Sequence, residues 1–515
     1  MPPVSPSAAA RAVAASGSDS DSCSAIASRN TTRLRVGPAI LAAMSPLSSP
    51  RSRLFALLTL AGMVAGVAAS CGNEKVAPAV LSGNDAGAES SDDASVRPDA
   101  PTPPVDGGSE GGLRNTKLSP SFVHRDVNHV LSTGQSLSVG ATGTPPLSTS
   151  QPFANLMFMS GAIPGATNLK AFAPLIEGRV PGGNNPDVET MSAGLANLVT
   201  KMARDELLVG QPADETSHDL LVSVHGIGGT AYSGLKKGTS AFAAGMAQAK
   251  AGFELAKALG KSYVVRAVTT VHGETDHAQN NPAYESNLLE WQADYEKDVK
   301  ALTGQADSIP LLQTQMSSWT RYNSTTSAIP DAQLAAHVNS GGKVVLVGPK
   351  YHLPYSPDGV HLTNEGYRHM GEDYAKAYRR IVLEGRRWDP VRPLSISRAG
   401  TVITVKFVVP APPLVLDEAL VSNPGRFGFE IAQVGAPPPA ITTVAVTAPD
   451  TVTITLAAEP TGSQRRLRYA FTAPLQASAG PTTGARGNLR DSDATPSRHG
   501  YSLYNWCVHF DEALP

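Results

Sequence analysis

Between residues 127 and 383, short apolar runs alternate with stretches of helical periodicity, and this alternation restricts the fold more than any other feature. Residues 127–133, 219–225 (DLLVSVH), 262–271, 309–314 and 343–347 (KVVLV) read as strands. The second of them, 219–225, is largely apolar, as a buried parallel strand should be. Between them, Leu195, Leu198, Val199 and Met202 recur at helical spacing, as do Phe242, Met246, Ala249, Phe253 and Ala256. Residues 288–302 and 331–339 read as further helices. A last one over 363–383 aligns Tyr367, Met370, Tyr374, Tyr378 and Ile381 on one face, with Thr363 and Asn364 as candidate caps. Such a pattern predicts an α/β protein: a three-layer α/β/α, flavodoxin-like domain around a five-stranded parallel sheet. Ligands then bind beyond the carboxyl ends of the strands. Residues 147–188 form a long irregular excursion, of the kind that shapes a binding cleft.

The 515 residues exceed what one domain normally holds, and both flanks differ in texture from the α/β portion. Residues 1–43 are Ala/Ser-rich without periodicity and read as a disordered extension or an upstream segment outside the working protein. Residues 44–71 place Arg51 and Arg53 before an apolar run over 54–69, then Ser70 and Cys71. This is the layout of an export signal. A cysteine directly after small residues resembles a bacterial lipoprotein signal, in which Cys71 is lipidated, although Ala68 stands where such signals usually carry Leu. Residues 72–112 are rich in Gly, Asp, Ser, Ala and Pro and read as a disordered linker. The α/β domain is expected over 113–393. A small all-β, sandwich-like domain is expected over 394–515, where 401–409, 442–446 and 451–456 are β-branched and 501–510 reads as a closing strand. The net charge of −2 offers nothing to a nucleic acid. Three cysteines make no disulfide framework, and Cys507 reads as buried packing.

The residues able to do chemistry collect at the expected strand ends. After the first strand Gly134 makes a tight turn and leaves Ser136 just beyond it, as α/β proteins present a nucleophile. After the fifth strand come Asp358 and His361, three apart in a turn-prone segment. An aspartate beside a histidine fixes its tautomer and stabilises its charged form, so the imidazole can take a proton from a serine and return it to a leaving alcohol. A competing arrangement would gather His225, His272, Glu274, Asp276 and His277 as metal ligands from two strand ends, but their spacing is no established zinc motif and would leave Ser136 without a role.

These motifs resemble the SGNH (GDSL-like) hydrolases, and most closely the branch holding sialate O-acetylesterases and plant-type carbohydrate acetylesterases. That branch carries GQS, matched by Gly134-Gln135-Ser136, and a GGT/GGS element, matched by Gly228-Gly229-Thr230. It also carries QGExD, matched by His272-Gly273-Glu274-Thr275-Asp276, and DGxH, matched by Asp358-Gly359-Val360-His361. The resemblance implies Ser136 as nucleophile, His361 as general base and acid, and Asp358 as its orienting partner. It implies oxyanion donors among the Ser136 and Gly229 amides and the side chains of Gln135 and His272. His272 departs from the usual Gln but can also donate. Gly228, Glu274 and Asp276 are expected to brace the loops. The activity so implied is that of a secreted serine esterase, removing acetyl or short acyl groups from a carbohydrate through an acyl-enzyme. It would need neither metal nor cofactor and would sit at the cell envelope through a lipid anchor on Cys71. Two other classes compete: a non-catalytic, carbohydrate-binding surface lipoprotein, which the complete Ser/His/Asp set argues against, and a lipid-acting esterase of the same fold, for which the chain has no long apolar lid.

Overall fold

The computed structural model describes residues 117–515, apart from 167, 182 and 184. The extension at 1–43, the signal with Cys71 and the linker to 112 lie outside the described residues. The α/β portion runs β1 (Val127–Gly134), β2 (Leu156–Phe158), β3 (Phe172–Pro174), α1 (Ser192–Met202), β4 (Leu220–Val224), α2 (Tyr232–Leu235), α3 (Ser240–Ala258) and β5 (Tyr263–Val271). It continues with α4 (Glu274–Ala278), α5 (Tyr284–Thr303), β6 (Leu311–Gln315), α6 (Ile329–Asn339), β7 (Val344–Pro349) and α7 (Asn364–Tyr378).

The sheet has seven strands, in the order β3-β2-β4-β1-β5-β6-β7, rather than five. The five runs read as strands are β1, β4, β5, β6 and β7, all parallel. The two extra strands are three residues each and come from the irregular excursion. β2 pairs in parallel with β4, and β3 closes the edge antiparallel to β2. Strands this short carry no readable periodicity; they exist because the edge of β4 has backbone groups to satisfy.

β1 lies at the centre and all eight of its residues are buried. Its buried His129 is paired at both ring nitrogens, with the Tyr263 hydroxyl at 2.7 Å and the Ser223 hydroxyl at 2.8 Å. One face of the sheet is covered by α1 and α7, where Leu195, Leu198 and Val199 join Tyr367, Met370 and Tyr374 in a single core. The other face is covered by α3, α5 and α6, with Trp291 and Tyr295 fully buried. Thr363 caps α7, its hydroxyl accepting from the Gly366 amide at 3.2 Å.

From Arg392 onward the structure is β8 (Arg392–Ala399), β9 (Val402–Val408), β10 (Val415–Leu416), β11 (Phe429–Val434), β12 (Ile441–Ala448), β13 (Thr451–Leu456), β14 (Ser463–Tyr469), β15 (Leu489–Arg490) and β16 (Phe510–Ala513). A four-stranded sheet, β12-β13-β9-β8, and a three-stranded sheet, β11-β14-β16, contribute inward residues to one core; Val405, Ile454, Leu467 and Phe510 belong to it. Leu346 and Tyr351 of the α/β portion join the same core, so the two portions are packed as one unit. The closing strand begins at Phe510, not at Tyr501; the residues before it cross the α/β surface, where Tyr351 donates to the Cys507 carbonyl at 2.7 Å. Cys507 itself is buried and free. Among the described residues no helix is long and apolar enough to cross a membrane.

Candidate active site

The carboxyl ends of β1, β4, β5 and β7 meet in one place. β1 ends at Gly134, whose φ of +122° and 2.5 Å approach of a would-be Cβ to the Val271 carbonyl admit only glycine. The chain turns there and leaves Ser136 partly exposed. The turn after β4 is stitched to it, since the Ile227 amide donates to the Gly134 carbonyl at 2.9 Å. Gly228 thereby comes to face Ser136: a Cβ built on it would stand 3.7 Å from the Ser136 Cβ.

The turn after β7 supplies the other two groups. His361 Nε2 lies 2.7 Å from Ser136 Oγ, and His361 Nδ1 lies 2.6 Å from Asp358 Oδ2. Asp358 Oδ1 accepts from the amides of Val360 at 2.9 Å and His361 at 3.0 Å. Burial works against the Asp358 charge, yet the His361 ring and these amides hold its carboxyl below the ordinary carboxylate value. An ionised carboxylate only accepts, so Nδ1 carries the proton and Nε2 presents its lone pair to the Ser136 hydroxyl. Gly359, at φ +71°, makes this turn. Its carbonyl accepts from the Ala479 amide at 3.1 Å, and the Ala477 carbonyl takes the Thr320 hydroxyl, so the C-terminal β portion buttresses the turn.

Among the described residues, neither the Ser136 amide nor the Gly229 amide has an internal acceptor. Gly229 is exposed, at φ +65°. Two backbone donors are thus available beside the serine. The side chains of Gln135 and His272 are not. Gln135 is 2 % exposed, donates to Glu274 Oε2 at 2.8 Å and accepts from the Thr275 amide at 3.3 Å. His272 is kept neutral by burial, so it has one N–H. Its Nε2 lies 3.0 Å from the Thr230 carbonyl, which can only accept, and its Nδ1 lies 2.7 Å from the Tyr284 hydroxyl, which must then donate. The expectation that these two side chains point at an oxyanion is therefore corrected: both are sealed into the protein.

Glu274 and Asp276 brace the loops. Asp276 accepts from the Tyr232 amide at 2.8 Å and from Asn281 at 2.6 Å. Glu274 is fully buried and accepts from Gln135, from Ser318 at 3.2 Å and from the ammonium of Lys350 at 3.4 Å. Lys350, itself 0 % exposed, went unrecognised in the sequence; its only signal is a lysine directly after an apolar strand. The five residues of the competing metal arrangement do not gather. His225 is held by Tyr295 at 2.7 Å, and His277 by Ser327 at 2.9 Å. A cavity of about 1030 Å³ lies at the opposite end of the sheet among residues such as Val123, Arg266 and Pro310, away from this chemistry.

Residues 211–380 match the family model of carbohydrate esterases described as sialic acid-specific acetylesterases. The chain is similar to this carbohydrate-esterase family over those residues, about a third of its length. It is a carboxylic ester hydrolase, and the motifs that suggested the sialate O-acetylesterase branch, apart from the Ser136 turn, fall inside the matched span. No curated protein matches the chain. Solved structures similar to it include a carbohydrate acetylesterase from Xanthomonas citri, at 16% identity over 75% of this chain and 80% of that one, with a TM-score of 0.43. A protein from Arabidopsis thaliana is similar at 16% identity over 49% and 97% of the two chains, with a TM-score of 0.36. An aryl esterase from M. smegmatis is similar at 15% identity over 49% and 98%, with a TM-score of 0.26.

Proposed function

We propose that this carbohydrate esterase removes acetyl or other short acyl groups from a sugar through an acyl-enzyme on Ser136. The observation that carries the reading is the unbroken chain from Ser136 Oγ to His361 at 2.7 Å and from His361 to Asp358 at 2.6 Å. His361 Nε2 takes the Ser136 proton as Oγ attacks the acyl carbon. The tetrahedral oxyanion is met by the Ser136 and Gly229 amides, each donor being worth about 3 kcal/mol in a site of this type. Asp358 stabilises the imidazolium so formed. Collapse expels the sugar hydroxyl with the proton from His361, and a water activated by the same ring releases the acid. Residues 44–71 fit export as a lipoprotein anchored at Cys71, which would set the enzyme on polymers at the cell envelope.

The test is hydrolysis of p-nitrophenyl acetate and of an O-acetylated sialic acid by the full chain and by Ser136→Ala, with fluorophosphonate labelling located by peptide mass spectrometry. Turnover of both esters, its loss in the variant and a label on Ser136 are expected. A folded protein that binds sugar but takes no label would return the binding-protein reading. Preference for p-nitrophenyl palmitate would return the lipid esterase. Palmitate incorporation that survives Cys71→Ser would remove the anchor.

A further inference from the structure

We propose that His352, His369 and Asp373 form a binding site for a divalent transition metal of the zinc type, separate from the Ser136 site. Each offers one ligand atom, and the three atoms lie within 4.8 Å of one another. His369 and Asp373 are four apart on α7 and so share one face of the helix. His352 reaches them from the loop after β7, the same loop that carries Asp358.

The spacing fits a metal. Zinc bonds of about 2.0–2.2 Å in a tetrahedron put neighbouring ligand atoms about 3.4 Å apart. His352 Nε2 and Asp373 Oδ2 stand at 3.1 Å, where they share a hydrogen bond that the metal would replace. The donor set fits as well: two imidazoles and one carboxylate suit zinc and its neighbours, whereas calcium and magnesium ask for oxygen throughout. A further observation points to an absent ligand: His369 Nε2 is buried without a partner. Buried polar atoms are rarely left unpaired. Both rings are also clamped in orientation, His352 stacked on Trp506 with centroids 5.9 Å apart and His369 on Tyr501 at 4.5 Å.

One cation stands nearby. Lys376 Nζ is 3.8 Å from Asp373 Oδ1, the carboxylate oxygen turned away from His352. It is bonded to Asn505 at 2.8 Å and to the Leu503 carbonyl, and Asp493 at 3.3 Å balances its charge, which leaves Asp373 Oδ2 for the metal. The metal would pin the loop bearing Asp358 and His361 to α7 beneath the C-terminal segment. Its role is to hold structure; it does not reach the reacting ester.

The experiment strips the full-length protein with a chelator, then titrates zinc against a chromophoric competitor, with bound metal counted by elemental analysis. One zinc per chain and a raised melting temperature are expected. His369→Ala should weaken binding about 100-fold or more, while His277→Ala, outside the cluster, should bind as the parent does. Cobalt(II) should give tetrahedral visible bands in the parent that His352→Ala loses. If a variant fails to fold, the parent still decides. A stripped parent that takes up no stoichiometric zinc and gives no cobalt bands overturns the site, as does uptake unchanged in folded His352→Ala/His369→Ala.

Discussion

Replacing Lys350 by methionine strands the carboxylate of Glu274 in the interior beneath the nucleophile turn. Both side chains are 0 % exposed and 3.4 Å apart. At an effective dielectric of about 20, unit charges at the observed 3.4 Å attract by about 5 kcal/mol. Losing one partner of a buried pair costs about 3–5 kcal/mol, because the other charge stays desolvated. Burial opposes the Glu274 charge, and Lys350 first among its neighbours holds the carboxyl below the ordinary value. Without the lysine that carboxyl takes up a proton. As an acid it would no longer simply accept from Gln135, the residue next to Ser136. Lys350→Met is therefore expected to lose about 3–5 kcal/mol in urea unfolding. It should also lose about 10- to 100-fold in kcat on p-nitrophenyl acetate, since small displacements of a nucleophile are amplified. Glu274→Gln alone should be similarly damaging to stability, leaving an uncompensated buried ammonium. Lys350→Met/Glu274→Gln removes both charges and should recover part of the summed loss, a coupling of about 2 kcal/mol or more. A loss below about 1 kcal/mol in Lys350→Met, or strictly additive single variants, would refute the argument that the pair is a coupled support for the turn.

Asp358→Asn leaves a side chain that can hold His361 in either tautomer; kcat is expected to fall by about 10³- to 10⁴-fold with little change in KM, and a loss under tenfold would contradict the tautomer argument. Gly359→Ala meets both a φ of +71° and Ser478 Oγ at 2.4 Å. It should cost about 1–3 kcal/mol in thermal or urea unfolding and reduce activity, because Asp358 and His361 flank the strained residue. Glu177 is pushed up from 4.5 to about 8 by burial, with the Glu189 carboxylate adding to it. The folded state thus holds a proton that the unfolded chain releases from about pH 4.5, so stability falls as pH rises toward 8. Glu177→Gln should flatten that decline between pH 5 and 8 in urea midpoints, and an unchanged slope would assign the pH dependence elsewhere.

The strands and helices that build the sheet were legible because each is a local pattern. A buried parallel strand is a short apolar run, and a helix such as α7 repeats its aromatic residues at one spacing. The Asp358–His361 pair was legible for the same reason: three residues in one turn bring the two side chains together whatever the rest of the chain does. Gly134 and Gly359 likewise mark turns that a Cβ would forbid. The two edge strands were not legible, since three residues carry no period and their pairing depends on the exposed edge of β4.

What the chain alone determined, then, was an α/β order with a serine, a glycine-rich turn and an Asp–His pair set at the ends of three different strands. Only the tertiary structure decided that Ser136 and His361, 225 residues apart, stand at hydrogen-bond distance. It also decided which neighbours are available. Gln135 and His272 have the right chemistry for an oxyanion, but Glu274, Thr230 and Tyr284 reach them first. Lys350 reads as an ordinary lysine until Glu274 arrives from another strand end. Hydrogen-bond and charge pairing in an interior is a competition among groups brought together from distant parts of the chain. Its outcome is set by distance and desolvation, which no spacing along the sequence encodes.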